Sequence, residues 1–390
     1  MDNLTRIFNH EVLNAEISQI RQFDESVSEF GELIRLTLGQ PDFPTPQHVK
    51  EAAKKAIDDN FSFYTQTAGY LQLREAAAQF VKDKYNLSYD PASEVIATVG
   101  ATEALACSLI SILNPGDKVI IPSPYFSLYE SLVRQAKAEP VFIDTSLTDF
   151  QVSPEVLKQT IEEHKTNLKA VIFNSPNNPT GTTWSKDRVR DLASVLKDYP
   201  DVLAISDEIY SEIVYEEDFT SLGEHLREQT IVINGLSKSH AMTGWRLGLI
   251  FAPAFITEQI VKVHQSLVTS ASSITQYAGI EALTKGKNDA HEMRVQYKKR
   301  RDVVVSALSA LDFSIATPTG AFYIFAKIPD RFTQNSHDFC YNLAKHTRVA
   351  LIPGSAFGEA GEGYVRISYA ASITDIEEAM ERLTDYLKDN

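Results

Sequence analysis

Between about residues 48 and 285, short apolar runs alternate with longer stretches whose apolar positions recur at helical spacing. VIATV (95–99), KVIIP (118–122), AVIFN (170–174), VLAIS (202–206), TIVIN (230–234) and LGLIFA (247–252) are apolar nearly throughout. A strand with one wet face would alternate polar and apolar residues instead, so these runs predict strands covered on both faces. With helical stretches between most of them, the pattern predicts an α/β fold with a mostly parallel sheet sandwiched by helices.

The pattern changes after a long helical stretch at 286–310. FSIAT, GAFYIFAKI, VALIP and YVRISYA predict strands of a smaller, mostly antiparallel sheet, with helices near 337–347 and over TDIEEAMERLTDYLKD. No repeat, low-complexity tract or Gly/Ser linker marks a boundary, so the divisions follow the pattern. They are an N-terminal segment 1–47 packing with the small domain, a large domain over 48–285, and a small α+β domain over 286–390. A chain of 390 residues also exceeds the size at which one core stops growing.

Composition narrows the function classes. The formal net charge is −15, with no basic stripe, which disfavours a nucleic-acid partner. No window reaches the roughly 18 consecutive apolar residues of a membrane span. The start, MDNLTRIFNHEVLNAE, lacks the apolar stretch of a secretory signal, so a cytoplasmic protein is expected. Cys107 and Cys340 lie far apart in helix-like patterns and read as reduced core thiols. The nine histidines show no metal-ligand spacing, and no metal is expected.

Three predicted strands run directly into polar residues. AVIFN leads into SPNNPTG, VLAIS into DEIY, and TIVIN into GLSKSHAMTGWR. Ligands of open parallel sheets bind beyond the carboxyl ends of the strands, so Asn178, Asp207, Tyr210, Lys238 and Arg246 would face one crevice. Each has a plain reading: a turn, a helix cap, half-buried packing, a solvated charge. Five at one sheet edge favour a shared site.

Asn178-Pro179-Thr180-Gly181, Asp207-Glu208-Ile209-Tyr210, Ser237-Lys238 and Gly244-Trp245-Arg246-Leu247-Gly248 together resemble the class I aminotransferases of pyridoxal-phosphate fold type I. Gly39 in LTLGQPDFPTP, Tyr64 in YTQTAGYLQLREA, Gly100-Ala101-Thr102-Glu103 and Arg366 in YVRISYA fall in the family's order, so the resemblance spans nearly the whole chain. It implies pyridoxal 5′-phosphate as cofactor, amino-acid and 2-oxo-acid substrates, and a homodimer with shared active sites.

The resemblance also implies roles. Lys238 would hold the cofactor as a Schiff base and move the substrate proton. Asp207 would keep the pyridine nitrogen protonated. Tyr210 and Asn178 would donate to the ring oxygen. Gly100, Ala101 and Thr102 at a helix start, Arg246, Ser237 and a second subunit's Tyr64 would hold the phosphate. Family members commonly carry a phosphate-binding Ser three residues before the lysine; here that position is Gly235, leaving Ser237 or Thr102 to compensate. Phe126, with Tyr125 as second choice, would stack on the ring. Arg366, with Gly39 and Asn178, would clamp the substrate carboxylate.

Substrate choice is less marked. ISQIRQF, GLSKSHAMTGWR and GAFYIFAKIP look most like Gram-positive bacterial aromatic-amino-acid or N-acetyl-diaminopimelate aminotransferases. Tyr64, Phe126, Phe322 and Tyr323 could form an aromatic wall, with Phe322 and Tyr323 expected on opposite sides of their strand. That wall ranks aromatic donors first, with 2-oxoglutarate as acceptor. Arg21 in ISQIRQF is the one cation proposed for a distal polar pocket, against the plainer reading of a surface helix charge. A C–S β-lyase would use the same lysine, aspartate and arginine. A sensor domain of a transcription regulator would need an appended DNA-binding domain, and the acidity disfavours that.

Overall fold

The computed structural model describes residues 7–14, 17–216 and 218–388. The extreme ends of the expected N-terminal and C-terminal segments, 1–6 and 389–390, lie outside the described residues. A two-residue strand, β1 (Ile34–Arg35), precedes the large sheet. That sheet contains β2 (Val95–Thr98), β3 (Lys118–Ser123), β4 (Glu139–Asp144), β5 (Leu168–Asn174), β6 (Leu203–Asp207), β7 (Thr230–Gly235) and β8 (Gly248–Phe251). Their order across the sheet is β2-β8-β7-β6-β5-β3-β4.

All six strands expected there are present. The seventh, β4, escaped notice because it is an edge strand, bonded only to β3, and its sequence EPVFID mixes polar and apolar residues. Pro140 is tolerated there because an edge strand leaves one row of N–H groups unpaired. The other departure is β8, which runs antiparallel to both β2 and β7. The link from β7 holds only a four-residue helix and a short 3-10 turn, not the crossover helix that a parallel return needs. Helices cover both faces: Gly100–Ile112 and Ala254–Val268 on one side, Leu71–Tyr85 and Ser273–Thr284 on the other.

The smaller sheet is antiparallel throughout, in the order β12-β13-β10-β9. Its strands are β9 (Ser314–Ile315), β10 (Tyr323–Lys327), β12 (Ile352–Pro353) and β13 (Tyr364–Ser368). VALIP is divided: β11 (Val349–Ala350) leaves this sheet and pairs in parallel with β1. The helices Ala290–Ser309, Ser336–Thr347 and Ile373–Lys388 contribute to its core. No helix among the described residues is long and apolar enough to cross a membrane.

Candidate active site

The carboxyl ends of β5, β6 and β7 do converge. Asp207, the last residue of β6, is buried and accepts a hydrogen bond from the Tyr129 hydroxyl at 2.7 Å. Burial raises its pKa, opposed by the Tyr129 and Ile209 N–H hydrogen bonds and by the charge of Lys238. Asn174, the last residue of β5, donates from Nδ2 to the Asp207 carbonyl at 2.9 Å and accepts the Asn178 N–H at 2.8 Å. One side chain thus fixes two strand-end loops to each other. Asn178 in turn accepts from Arg366 at 3.1 Å through Oδ1, and its amide NH2 has no hydrogen-bond partner among the described residues.

Lys238 sits in the short helix Leu236–Ser239 that follows β7. It is half-buried and donates from Nζ to the Gly39 carbonyl, with the Tyr210 ring centroid 5.5 Å away. Its pKa falls to about 8, chiefly because burial penalises the ammonium and then because Arg366 and Arg246 repel it; Asp207 offsets part of this. A deprotonated amine is therefore accessible near neutral pH.

Arg366, on β13, is 2 % exposed. Its guanidinium lies between the rings of Tyr323 and Phe357, at 4.7 and 4.8 Å, and donates to the Thr37 carbonyl at 2.6 Å. Its Nε has no partner, and among the described residues it makes no ion pair. A buried unpaired guanidinium is unfavourable by on the order of several kcal/mol, so an arrangement of this kind suits an anionic ligand. Thr37 and Gly39, two residues apart, each hold one of the two cationic heads.

Tyr323 has more to do than line a wall. Its hydroxyl lies 2.7 Å from that of Tyr210, and a side-chain carbon at Gly39 would stand 2.6 Å from the same hydroxyl. The opposite-sides expectation for Phe322 and Tyr323 fails. Both rings meet Tyr210, with centroids 5.4 and 5.7 Å away. Strand β10 begins only at Tyr323, and Ala321 has a φ of 54°, so Phe322 belongs to a turn in which strand alternation does not hold.

The opposite end of the crevice is more open. Gly100 begins the helix Gly100–Ile112 with a φ of 77°, and an added Cβ would lie 2.6 Å from Arg246 Nη2. Glycine is needed both for the backbone and for the close approach of the guanidinium. Arg246 is exposed, donates to the Thr243 carbonyl at 3.1 Å and to Thr102 Oγ1 at 3.4 Å, and makes no ion pair among the described residues. Ala101 is half-buried and Thr102 exposed. The Ser237 hydroxyl has no hydrogen-bond partner among the described residues. Gly235 now has a packing reason, because a Cβ there would meet the Leu247 carbonyl at 2.8 Å.

Between the two aromatic candidates, Tyr125 is engaged elsewhere: its ring stacks on Phe142 and its hydroxyl donates to Glu130. Phe126 is half-buried, edge-on to Tyr129, whose hydroxyl touches Asp207. Tyr64 is 88 % exposed and joins none of these groups within its own chain. Arg21 lies exposed on the helix Gln19–Ser26, its side chain without a hydrogen bond or ion pair among the described residues. The supporting residues Asn174 and Tyr129 were not singled out from sequence. An Asn closing an apolar strand was a visible signal; a tyrosine inside an amphipathic helix was not.

Residues 31–383 match the model for aminotransferases of class I and II. The chain belongs to that family. A probable N-acetyl-LL-diaminopimelate aminotransferase of Bacillus subtilis is 46% identical over 380 residues, covering 97% of this chain and 95% of that protein. Aromatic-amino-acid aminotransferase 2 of Thermococcus litoralis is 37% identical, covering 95% of this chain and 96% of its own length. The structure of aspartate aminotransferase from Thermus thermophilus with maleate superposes with a TM-score of 0.92 at 34% identity, covering 97% of this chain and 99% of that one. The enzyme is thus an aminotransferase with the α/β architecture of fold type I, and its substrates are amino and oxo acids.

Proposed function

We propose that the enzyme uses pyridoxal 5′-phosphate to move an amino group between an L-amino acid and 2-oxoglutarate. Arg366 carries this reading: a buried guanidinium without a carboxylate, joined through the Thr37–Gly39 segment to an amine of lowered pKa. Every amino and 2-oxo acid brings the carboxylate that this cation lacks.

The residues present fit the cofactor. With no Cβ at Gly100, the Arg246 guanidinium packs close beside the first N–H groups of a helix, which suits a phosphate. Ser237 offers a further hydroxyl. The partnerless Asn178 amide and the Tyr210 hydroxyl offer donors for a ring oxygen, Asp207 an acceptor for a ring N–H, and Phe126 a flat apolar face. When bound, the cofactor supplies a carbonyl that amines attack and a ring that accepts the electrons released at Cα. Lys238 takes and returns the substrate proton at Nζ, and its lowered pKa brings the neutral form within reach. Arg366 orients the carboxylate while Asn178 holds Oδ1 against it. A second subunit's Tyr64 completes the phosphate cradle, since in its own chain this residue stands in solvent.

For the donor, sealing of Phe322 and Tyr323 beneath Tyr210 removes much of the aromatic wall on which aromatic donors ranked first. This, and the 46% identical Bacillus relative, support ranking an N-acetyl-LL-diaminopimelate-type donor ahead of phenylalanine and tyrosine. The test compares kcat/KM for these three donors with 2-oxoglutarate. A dominant aromatic donor reverses the ranking. Pyruvate release from L-cysteine or cystathionine without 2-oxoglutarate would replace transfer by C–S lyase activity.

A further inference from the structure

We propose that His264 is a positioning residue tying the phosphate cradle of one subunit to the tyrosine which that subunit lends its neighbour, an inference that rests on the shared-site reading above. His264 is wholly buried in the helix Ala254–Val268. Its Nδ1 lies 2.7 Å from Glu103 Oε1 and its Nε2 lies 2.9 Å from the Thr67 carbonyl. A carbonyl only accepts, so Nε2 is a donor. Glu103 is surrounded by donors as well: the Cys107 thiol at 2.9 Å and the Val99 N–H at 2.7 Å. Burial pushes its carboxyl up, but hydrogen bonds from His264, Cys107 and Val99 outweigh that and hold it below its ordinary value. Against a carboxylate, Nδ1 is a donor too. The three side chains approach within 4.8 Å of one another, yet each is already committed to a hydrogen bond, so they form a strut and not a cation site.

Each end of the strut reaches a functional element. Val99 immediately precedes Gly100, so Glu103 holds the start of the cradle helix. Thr67 follows Tyr64 by three residues. The segment bearing Tyr64 is pinned immediately after its tip. Gln276 donates to Thr65 Oγ1 at 3.0 Å and accepts the Tyr70 N–H at 2.7 Å. Arg74 donates to Gln66 Oε1 at 2.8 Å, and the Ala97 N–H to the Ala68 carbonyl at 2.9 Å. From this fixed base Phe63 and Tyr64 project, 74 % and 88 % exposed. The same buried pair therefore sets the cradle in its own subunit and the angle of the tyrosine offered to the other.

Mixed dimers separate the two effects. One subunit carries Lys238→Ala, so only its wild-type partner can hold pyridoxal phosphate covalently; the readout is cofactor fixed by borohydride as free cofactor is lowered. Adding His264→Asn to the Lys238→Ala subunit leaves the working cradle untouched and alters only the tyrosine lent to it. The half-saturating cofactor concentration is expected to rise about three- to fivefold, up to the loss that removing the Tyr64 hydroxyl itself would give. Gln276→Leu at the same place should act likewise, because it loosens the loop alone. Moved into the working subunit, His264→Asn should still weaken retention and Gln276→Leu should not. Where His264→Asn subunits fail to fold, Glu103→Gln/His264→Gln makes the same test without a buried unpaired carboxylate. Wild-type retention with the His264 variants, in dimers where Tyr64→Phe does weaken it, overturns the proposal alone. If Tyr64→Phe is silent as well, the shared-site reading falls first and the proposal with it.

Discussion

At the Arg366 end of the crevice the ionisable groups are packed away from water and held by their own chain, whereas at the Gly100 end they stand open. Arg366, Asp207 and Lys238 all have pKa values displaced by burial, with no full set of countercharges. Arg246 and Thr102 are exposed, and Tyr64 stands in solvent. Dry groups act strongly on a ligand because little screens them. Open groups are shaped beforehand but gain their strength once a second surface covers them. Disruption at the dry end should therefore damage chemistry, and disruption at the open end should damage cofactor retention.

The largest effect is expected at Lys238. Lys238→Ala should lower kcat by about 10⁴-fold or more, because Lys238 is the amine that the strand-end loops bring beside Asp207 and Arg366 to move the proton. Steady-state assays against 2-oxoglutarate decide it, and residual turnover near wild type would remove Lys238 from the chemistry. Next, Asp207→Ala should reduce kcat by about 10²–10³-fold while circular dichroism stays native. Asp207 ends a strand, and the Tyr129 hydroxyl left behind is neutral. Normal rates with cofactor bound would break the assignment.

Arg366→Met should cost about 10²-fold in kcat/KM with cofactor content unchanged. The same variant carries a pH signature. The neutral Lys238 amine captures the cofactor, so capture by apoenzyme should rise with pH and level off above about 8. Removing the repelling charge of Arg366 stabilises the ammonium, which moves that midpoint upward and slows capture at pH 7. Stopped-flow absorbance across pH measures it; a midpoint that stays or falls would show that Arg366 does not act on Lys238. The smallest effect belongs to the open end. Tyr64→Phe should weaken cofactor retention by about fivefold, the value of one lost hydrogen bond, and leave the KM for 2-oxoglutarate unchanged. A change in KM without one in retention would erase the contrast between the two ends.

Much of this was readable along the chain because it depends on local order. The apolar runs named six of the seven large-sheet strands, and NPTG, DEIY and SK mark where three of them open into loops. Edge strand β4 was hidden because an edge needs no continuous apolar run. The antiparallel direction of β8 was hidden because a strand's hydropathy does not record which way its neighbour runs.

The sequence by itself determined six of the sheet's seven strands, the family and the polar residues at the strand ends, since these rest on short local runs and on the order of motifs along the chain. Only the tertiary structure decided how those residues are supported. Asn174 reaches Asn178 and the Asp207 carbonyl, Tyr129 reaches Asp207, and Tyr323 joins Tyr210 to Gly39 across nearly three hundred residues. It also decided that Arg366 has no carboxylate partner among the described residues and that Phe322 and Tyr323 both pack against Tyr210. Burial and pairing depend on which distant surfaces meet, and a turn of one residue with positive φ is enough to cancel the alternation that a strand would impose.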